Sequence, residues 1–213
     1  MNSELESFVS FANFLADESS KIIKQYFRKE LKIEDKNDDS PVTIADKKTE
    51  LRIRELIEKE FPNHSILGEE FKEKDTNSEY MWVIDPIDGT RSFIAGHKDF
   101  GTLIALLHKK KPIIGIINCP IHEERWIGVN GRKTKMNNKE VKTSNKILLE
   151  KSYLCSTGLY LFENDILKKG FDRIVKKTKY HRFGGDCYNY GMVASGLVDI
   201  VIEDTLKVHD YMA

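Results

Sequence analysis

Apolar residues recur at helical spacing along the first thirty positions. Leu5, Phe8, Ala12, Leu15, Ile22 and Tyr26 fall near one stripe, which predicts an amphipathic helix from about Glu4 to Lys29. Ser40-Pro41 interrupts that pattern, and Thr43 is placed to cap a second helix from Ala45 to about Glu60, which Pro62-Asn63 ends. Ser65-Ile66-Leu67 then reads as a short strand delivering Gly68-Glu69-Glu70, and a polar linker covers Lys72 to Glu79. The apolar run from Trp82 to Ile84 predicts a buried strand, and Gly89 after Asp88 predicts the turn that leaves it. Pro86 has no N–H to offer a ladder, so pairing is expected to stop at Asp85.

After Gly101 the runs become β-rich. Thr102 to His108, Ile113 to Asn118 and Arg125 to Val129 predict an antiparallel meander, punctuated by Lys109-Lys110-Lys111-Pro112 and Pro120, with turns at Asn130-Gly131 and Asn137-Asn138. From Ser152 helices and strands alternate: strand Tyr153 to Cys155, helix Glu163 to Lys177, strand Tyr180 to Arg182, helix Asp186 to Ser195 with Gly196 as its C-cap, and strand Val198 to Glu203. The expected fold class is α/β, an α+β layered sandwich with alternating layers of helices and sheets, forming one unit over residues 1–213. Within it, about 1–145 forms an N-terminal α+β part and about 146–213 a C-terminal α/β part.

Composition narrows the function classes. The 213 residues hold 34 basic and 34 acidic side chains, a formal net charge of zero. That balance offers no electrostatic footprint for nucleic acid or an anionic membrane, so neither is expected as a partner. No stretch approaches the ~20 apolar residues of a membrane span. Glu4, Glu6, Asp17 and Glu18 occupy the first twenty positions, which argues against a signal peptide. Cys119, Cys155 and Cys187 are odd in number and widely spaced, without a disulfide framework or paired zinc spacing, so a reducing, cytoplasmic setting is expected. His64, His97, His108, His122 and His181 show no metal spacing, and Cys187, Trp82 and Trp126 read as packing.

The candidate chemistry lies in Asp85-Pro86-Ile87-Asp88-Gly89-Thr90. Two carboxylates three residues apart at the end of an apolar run repel each other unless a cation lies between them. Backbone amides at Gly89 and Thr90, opening the next element, can cradle a phosphate. Oxygen ligands beside an anion cradle suit a hard cation such as Mg²⁺. Further acids sit at element boundaries: Glu69 after Gly68, Asp46 opening a helix with Glu50 one turn later, and Asp210 near the end of the sequence. Each alone reads as a solvated acid or a helix cap, but several acids ending apolar strands mark the place where α/β folds assemble sites.

Taken together, Gly68-Glu69-Glu70, Asp85-Pro86-Ile87-Asp88-Gly89-Thr90, the late His209-Asp210-Tyr211-Met212-Ala213 and the upstream Ser40-Pro41-Val42-Thr43 to Asp46 resemble, in order and spacing, the metal-dependent inositol-monophosphatase-like superfamily. Three segments resemble its histidinol-phosphatase branch more than inositol monophosphatase itself: Thr90 to Gly96, Phe100 to Leu106, and Arg182-Phe183-Gly184-Gly185-Asp186-Cys187-Tyr188. The resemblance implies that Glu69, Asp85 and the Ile87 carbonyl hold one Mg²⁺ and that Asp85, Asp88 and Asp210 hold a second, with a weaker third as an option near Glu69. It implies that Glu69 and Thr90, with Asp46 holding the Thr90 hydroxyl, activate water, and that the Gly89 and Thr90 amides bind the phosphate. Substrate contacts are implied for Asp88, Gly89, Thr90, Arg91, Asp186, Glu203 and Asp210.

A cationic leaving group such as histidinol favours carboxylates beside the phosphate, which singles out Asp186 and Glu203. Asp186 also reads as an N-cap, and Arg91 and Arg182 as either ion partners or phosphate contacts. The implied function is Mg²⁺-dependent hydrolysis of a small-molecule phosphate monoester, histidinol phosphate first, with inositol monophosphatase or bisphosphate nucleotidase as the alternative. A homodimer is one option. Two departures stand out. His209 takes the place of the family's usual Trp or Tyr, and the family pattern runs on beyond Ala213, so the C-terminal part is expected to be incomplete and Asp210 loosely held. A non-catalytic phosphate-binding remnant is the reading that this second departure favours.

Overall fold

The computed structural model describes residues 2–30, 33–35, 41–146 and 148–213; Ser40, at the expected chain break, lies outside them. Helix α1 (Asn2–Tyr26) buries Phe8, Ala12, Leu15, Ala16 and Ile23, with Tyr26 packed beside Ile23, so the inward stripe runs through Ile23 in place of the expected Ile22. Strands β1 (Ile33–Asp35) and β2 (Pro41–Thr43) pair antiparallel and lead into helix α2 (Ile44–Glu60). Thr43 caps α2 as expected: its hydroxyl accepts from the Ala45 amide, and Asp46 answers with a capping-box bond to the Thr43 amide at 2.9 Å.

A seven-stranded sheet follows, in the order β3 (Ser65–Gly68), β4 (Tyr80–Asp88), β5 (Gly101–His108), β6 (Lys111–Cys119), β7 (Glu124–Val129), β8 (Lys135–Met136) and β9 (Lys139–Glu140). Only β3 and β4 are parallel. Alternation along β4 sorts its two faces. Trp82 and Ile84 join Ile104, Leu106 and the α1 and α2 side chains in one core, while Val83 packs with Ala105 and Leu107 on the opposite face. Pairing does not stop at Asp85. Asp85 pairs with Leu103, a bulge accommodates Pro86, and Asp88 pairs with Gly101. The Pro86 carbonyl is taken by the Thr102 hydroxyl at 2.9 Å, so the donor missing at Pro86 bends the strand instead of ending it. The bulge places both acids at one sheet end.

The remainder is a second, parallel sheet in the order β11 (Tyr180–Phe183), β10 (Tyr153–Ser156), β12 (Ile200–Val201). Helix α4 (Asp165–Val175) covers it through Phe171, Ile174 and Val175 on Leu154 and Ile200. A five-residue helix α3 (Thr90–Ile94) follows β4, and α5 (Asp186–Ala194) is wedged between the two sheets. On one side α5 presents Cys187 to Leu103, Cys119 and Trp126; on the other the Tyr190 hydroxyl donates to Glu203 at 2.7 Å. The layers run α1/α2, large sheet, α5, small sheet, α4, as the layered expectation required. The expected strand Val198 to Glu203 contracts to two residues, and a short helix α6 (Val208–Tyr211) follows it. Met212 packs against the Val83–Leu107 face, which ties the segment carrying Asp210 to the large sheet.

Candidate active site

Three elements deliver the acids. The end of β4 carries Asp85 and Asp88, the residue after β3 is Glu69, and α6 brings Asp210. Ligand atoms of Asp85, Asp88 and Asp210 lie within 4.8 Å of one another, and so do those of Glu69, Asp85 and His209. Asp85 belongs to both groups. It is 2% exposed, and its Oδ1 has no hydrogen-bond partner. Burial, then the charges of Glu69, Asp88 and Asp210, push the Asp85 carboxyl well above the usual range; burial and the charges of Asp186 and Asp210 do the same for Asp88. Burial also raises Asp210, whose Oδ2 accepts from the Lys207 amide at 2.6 Å. Converging carboxylates around the buried Asp85, with its one orphaned acceptor, fit a hard divalent cation, because a buried carboxylate without a counter-charge costs several kcal/mol.

Thr90 and Asp46 are joined by a hydrogen bond. The Thr90 hydroxyl lies 3.1 Å from Asp46 Oδ1 and 3.1 Å from the Ile87 carbonyl. The other Asp46 oxygen takes the Thr43 hydroxyl at 2.6 Å and the Thr43 amide, so this fully buried carboxylate is fixed from both sides. Burial raises its pKa above the ordinary value, against the hydrogen bonds that lower it.

Gly89 adopts φ +90°, and a Cβ there would lie 2.8 Å from Asp186 Cγ. Only glycine satisfies both conditions. Asp186 itself has φ +42° and accepts from the Ser92 hydroxyl at 2.6 Å. Gly185 occupies the N-cap position of α5 with no side-chain cap bond, so Asp186 is not the helix cap. Burial is the main reason the Asp186 carboxyl is pushed up to about 6. A non-glycine residue held in the left-handed region, beside the glycine it overlies, is strain stored at a site. The Cys187 amide donates to Asp88, tying the start of α5 to the acid cluster.

These residues line a cavity of about 430 Å³, with Glu69, Asp85, Asp88, Glu163, Asp186 and Asp210 facing Arg91 and Lys207. Six carboxylates against two basic side chains leave an excess of negative charge for cations to neutralise. Arg91 stacks over the Tyr160 ring at 4.7 Å, beside the cavity. Glu203 does not line it: Thr157 donates to one oxygen through its amide and hydroxyl, and Tyr190 takes the other. Arg182 is an ion partner of Asp99 at 3.0 Å, away from the cavity.

Sequence reasoning assigned no role to four residues at or beside the site. Glu50, fully buried, accepts from Arg54 at 2.7 Å and from the amides of Glu70 at 2.7 Å and Phe71 at 3.3 Å, which fixes the turn bearing Glu69. Its only sequence signal was a position one turn beyond Asp46. Ser92 and Glu163 gave none, and His209 gave one, an imidazole immediately before Asp210.

Comparison with known proteins places this geometry. The model of the inositol monophosphatase family matches residues 4–213. The bifunctional phosphatase IMPL2, chloroplastic, of Arabidopsis thaliana is 47% identical over 214 residues, covering 100% of this chain and 62% of its own length. A histidinol-phosphatase of Chlorobaculum parvum is 34% identical over 93% of this chain and 77% of its own. The structure of an inositol monophosphatase from Zymomonas mobilis superposes with a TM-score of 0.87 at 42% identity, covering 98% of this chain and 80% of the other.

Proposed function

The chain belongs to the inositol monophosphatase family, and we propose that it is a Mg²⁺-dependent hydrolase of small phosphate monoesters, with histidinol phosphate as its first substrate. One observation carries the reading. Asp85, buried and with an unpartnered oxygen, is shared by two groups of metal-competent side chains in a cavity also lined by Thr90, whose hydroxyl bonds to Asp46 behind it. Glu69, Asp85 and the Ile87 carbonyl would hold one Mg²⁺, and Asp85, Asp88 and Asp210 another. Bound there, the cations supply a water acidified toward neutrality and charge stabilisation for the leaving alkoxide.

The residues do the rest. Thr90, held by Asp46, orients the attacking water, and Glu69 accepts its proton. The amides of Gly89 and Thr90 hold the phosphate at the turn that Gly89 makes possible. Arg91 adds a positive charge at the rim, and Asp186 faces the leaving group. A primary ammonium on that group meets an acid that burial and the charges of Glu203 and Asp99 push up, against the opposing charge of Arg91. This favours an amino alcohol phosphate over a neutral polyol phosphate. Glu203 acts on Asp186 through its charge, its own oxygens being occupied. The relative named a histidinol-phosphatase supports the same substrate class. Free thiols at Cys119, Cys155 and Cys187 are consistent with work in a reducing cytoplasm.

The test is phosphate release from histidinol phosphate, inositol 1-phosphate and a nucleoside 3′,5′-bisphosphate, each with Mg²⁺ and with chelator. Mg²⁺-dependent release fastest from histidinol phosphate is expected. A preference for inositol phosphate overturns the substrate assignment, and no release from any of the three overturns the activity.

A further inference from the structure

The two acidic groups differ in one respect that the all-oxygen description leaves out. Around the Asp88–Asp210 side every candidate ligand is a carboxylate, whereas the Glu69–Asp85 side includes a ring nitrogen of His209 within 4.8 Å of both carboxylates. The His209 side chain is 11% exposed, with Nε2 3.4 Å from Asp210 Oδ1. It lines the same cavity as Glu69 and Asp85. The short helix α6 therefore supplies a ligand to each side: Asp210 to one and, one residue earlier, His209 to the other. The orphaned Asp85 Oδ1 is the second observation that asks for a cation there.

We infer that His209 is a nitrogen ligand of the cation held by Glu69 and Asp85, which makes this a mixed nitrogen and oxygen site selective for a borderline divalent metal, while the Asp85–Asp88–Asp210 site keeps the preference of a hard cation. The inference rests on the reading of the cluster as a metal centre. Its physical basis is donor chemistry. Mg²⁺ dehydrates reluctantly and takes oxygen, whereas imidazole strengthens binding of Mn²⁺, Co²⁺ and Zn²⁺. One imidazole in a three-residue set separates the two sites by metal rather than by strength alone. An aromatic side chain such as Tyr or Phe at this position has no nitrogen to offer and leaves both sites to oxygen.

The probe is Mn²⁺ alone, added to the full chain and followed by EPR. The free-ion signal counts bound ions, and pulsed EPR reads nitrogen coupled to the bound ion. In the wild type, one bound Mn²⁺ is expected to show ¹⁴N coupling that converts to the ¹⁵N pattern when histidine is ¹⁵N-labelled. In His209→Phe the coupling should vanish, and Mn²⁺ affinity at that site should fall by about tenfold or more. Mg²⁺ affinity, read by competition, should change less than about threefold, since its oxygen ligands are retained. Mn²⁺ that binds the wild type without histidine coupling overturns the inference and leaves the metal centre standing. Equal losses of Mn²⁺ and Mg²⁺ affinity in the variant also overturn it. Failure of Mn²⁺ to bind the wild type at all overturns the metal centre itself. The labelled wild-type measurement decides the question even if His209→Phe does not fold, and His209→Gln provides a second, polar variant.

Discussion

The turn that carries Glu69 depends on a carboxylate that touches no substrate, and Glu50→Gln isolates it. Glu50 is fully buried and accepts three hydrogen bonds, from Arg54 Nε and from the Glu70 and Phe71 amides. All three partners are donors. An amide side chain of the same shape can satisfy one side with its oxygen, but its NH₂ then faces an N–H, and Arg54 loses its counter-ion in a buried setting. Breaking a buried pair in this way costs about 3–5 kcal/mol. For a domain of this size each kcal/mol moves Tm by roughly 2–4 °C, so a fall of roughly 6–20 °C is expected. Gly68→Ala should reproduce the effect from the other direction, since a Cβ there would lie 2.0 Å from Glu50 Oε1. In a Glu50→Ala background the same Gly68→Ala change should cost far less, because the colliding carboxylate is gone. A double-mutant cycle by thermal unfolding in chelator measures that coupling, expected at about 1 kcal/mol or more. Mn²⁺ or Mg²⁺ titration of the folded variants should show weakened binding through the displaced Glu69. Additive Gly68 and Glu50 effects, or a Glu50→Gln protein with unchanged Tm and unchanged metal affinity, would refute the reasoning.

Three further outcomes are expected. Hydrolysis should disappear in chelator and in Asp85→Asn and Glu69→Gln, because the shared acid can no longer hold two cations together; activity persisting in chelator contradicts this. Thr90→Ala should lower kcat by about 10²-fold or more while calorimetric Mg²⁺ binding persists, since the hydroxyl orients water and is not a ligand; lost Mg²⁺ affinity would reassign it. Asp186 titrates at about 6, above its ordinary value, so it is neutral at low pH and ionised above 6. KM for histidinol phosphate should therefore fall as pH rises from 5 to 7, and Asp186→Asn should flatten that trend and cost roughly ten- to a hundredfold in kcat/KM. Inositol phosphate, with the same phosphate ionisation and no ammonium, serves as the control, and an equal effect on both substrates removes the specificity role.

Much of the site could be read along the chain because its chemistry is local. Asp85 and Asp88 stand at the end of an apolar run, the Thr43–Asp46 cap spans four residues, and the Asn137-Asn138 turn joins β8 to β9 with both residues at positive φ. Propensity and period are set by neighbours, so helices α1, α2, α4 and α5 and the meander were legible. Pairing across Pro86 was not, because the bulge depends on Thr102, sixteen residues away, taking the freed carbonyl. The role of Glu50 could not be read for the same reason: the amides it holds lie twenty and twenty-one residues downstream. Asp186 looked like a cap by position, yet Gly185 takes that place, and Ser92, ninety-four residues distant, decides what its carboxylate does.

Those separations bear on the order in which the molecule becomes competent. The sheet that presents Glu69, Asp85 and Asp88 closes between strands that follow one another in the chain, with a modest entropic toll. The start of α5 reaches Asp88 across ninety-nine residues and Ser92 across ninety-four, and Asp210 arrives later still in the chain. Contacts of that span form after local ones, because closure must precede their reward. A refolding chain therefore owns a half-built, strongly self-repelling anionic shelf before α5 and α6 dock on it. Divalent cations that bind the finished arrangement and not the shelf alone would draw that docking equilibrium forward by mass action. On the proposed metal reading, divalent cations thus favour the docked, completed site over the uncovered shelf at equilibrium, and the docked population rises with their concentration.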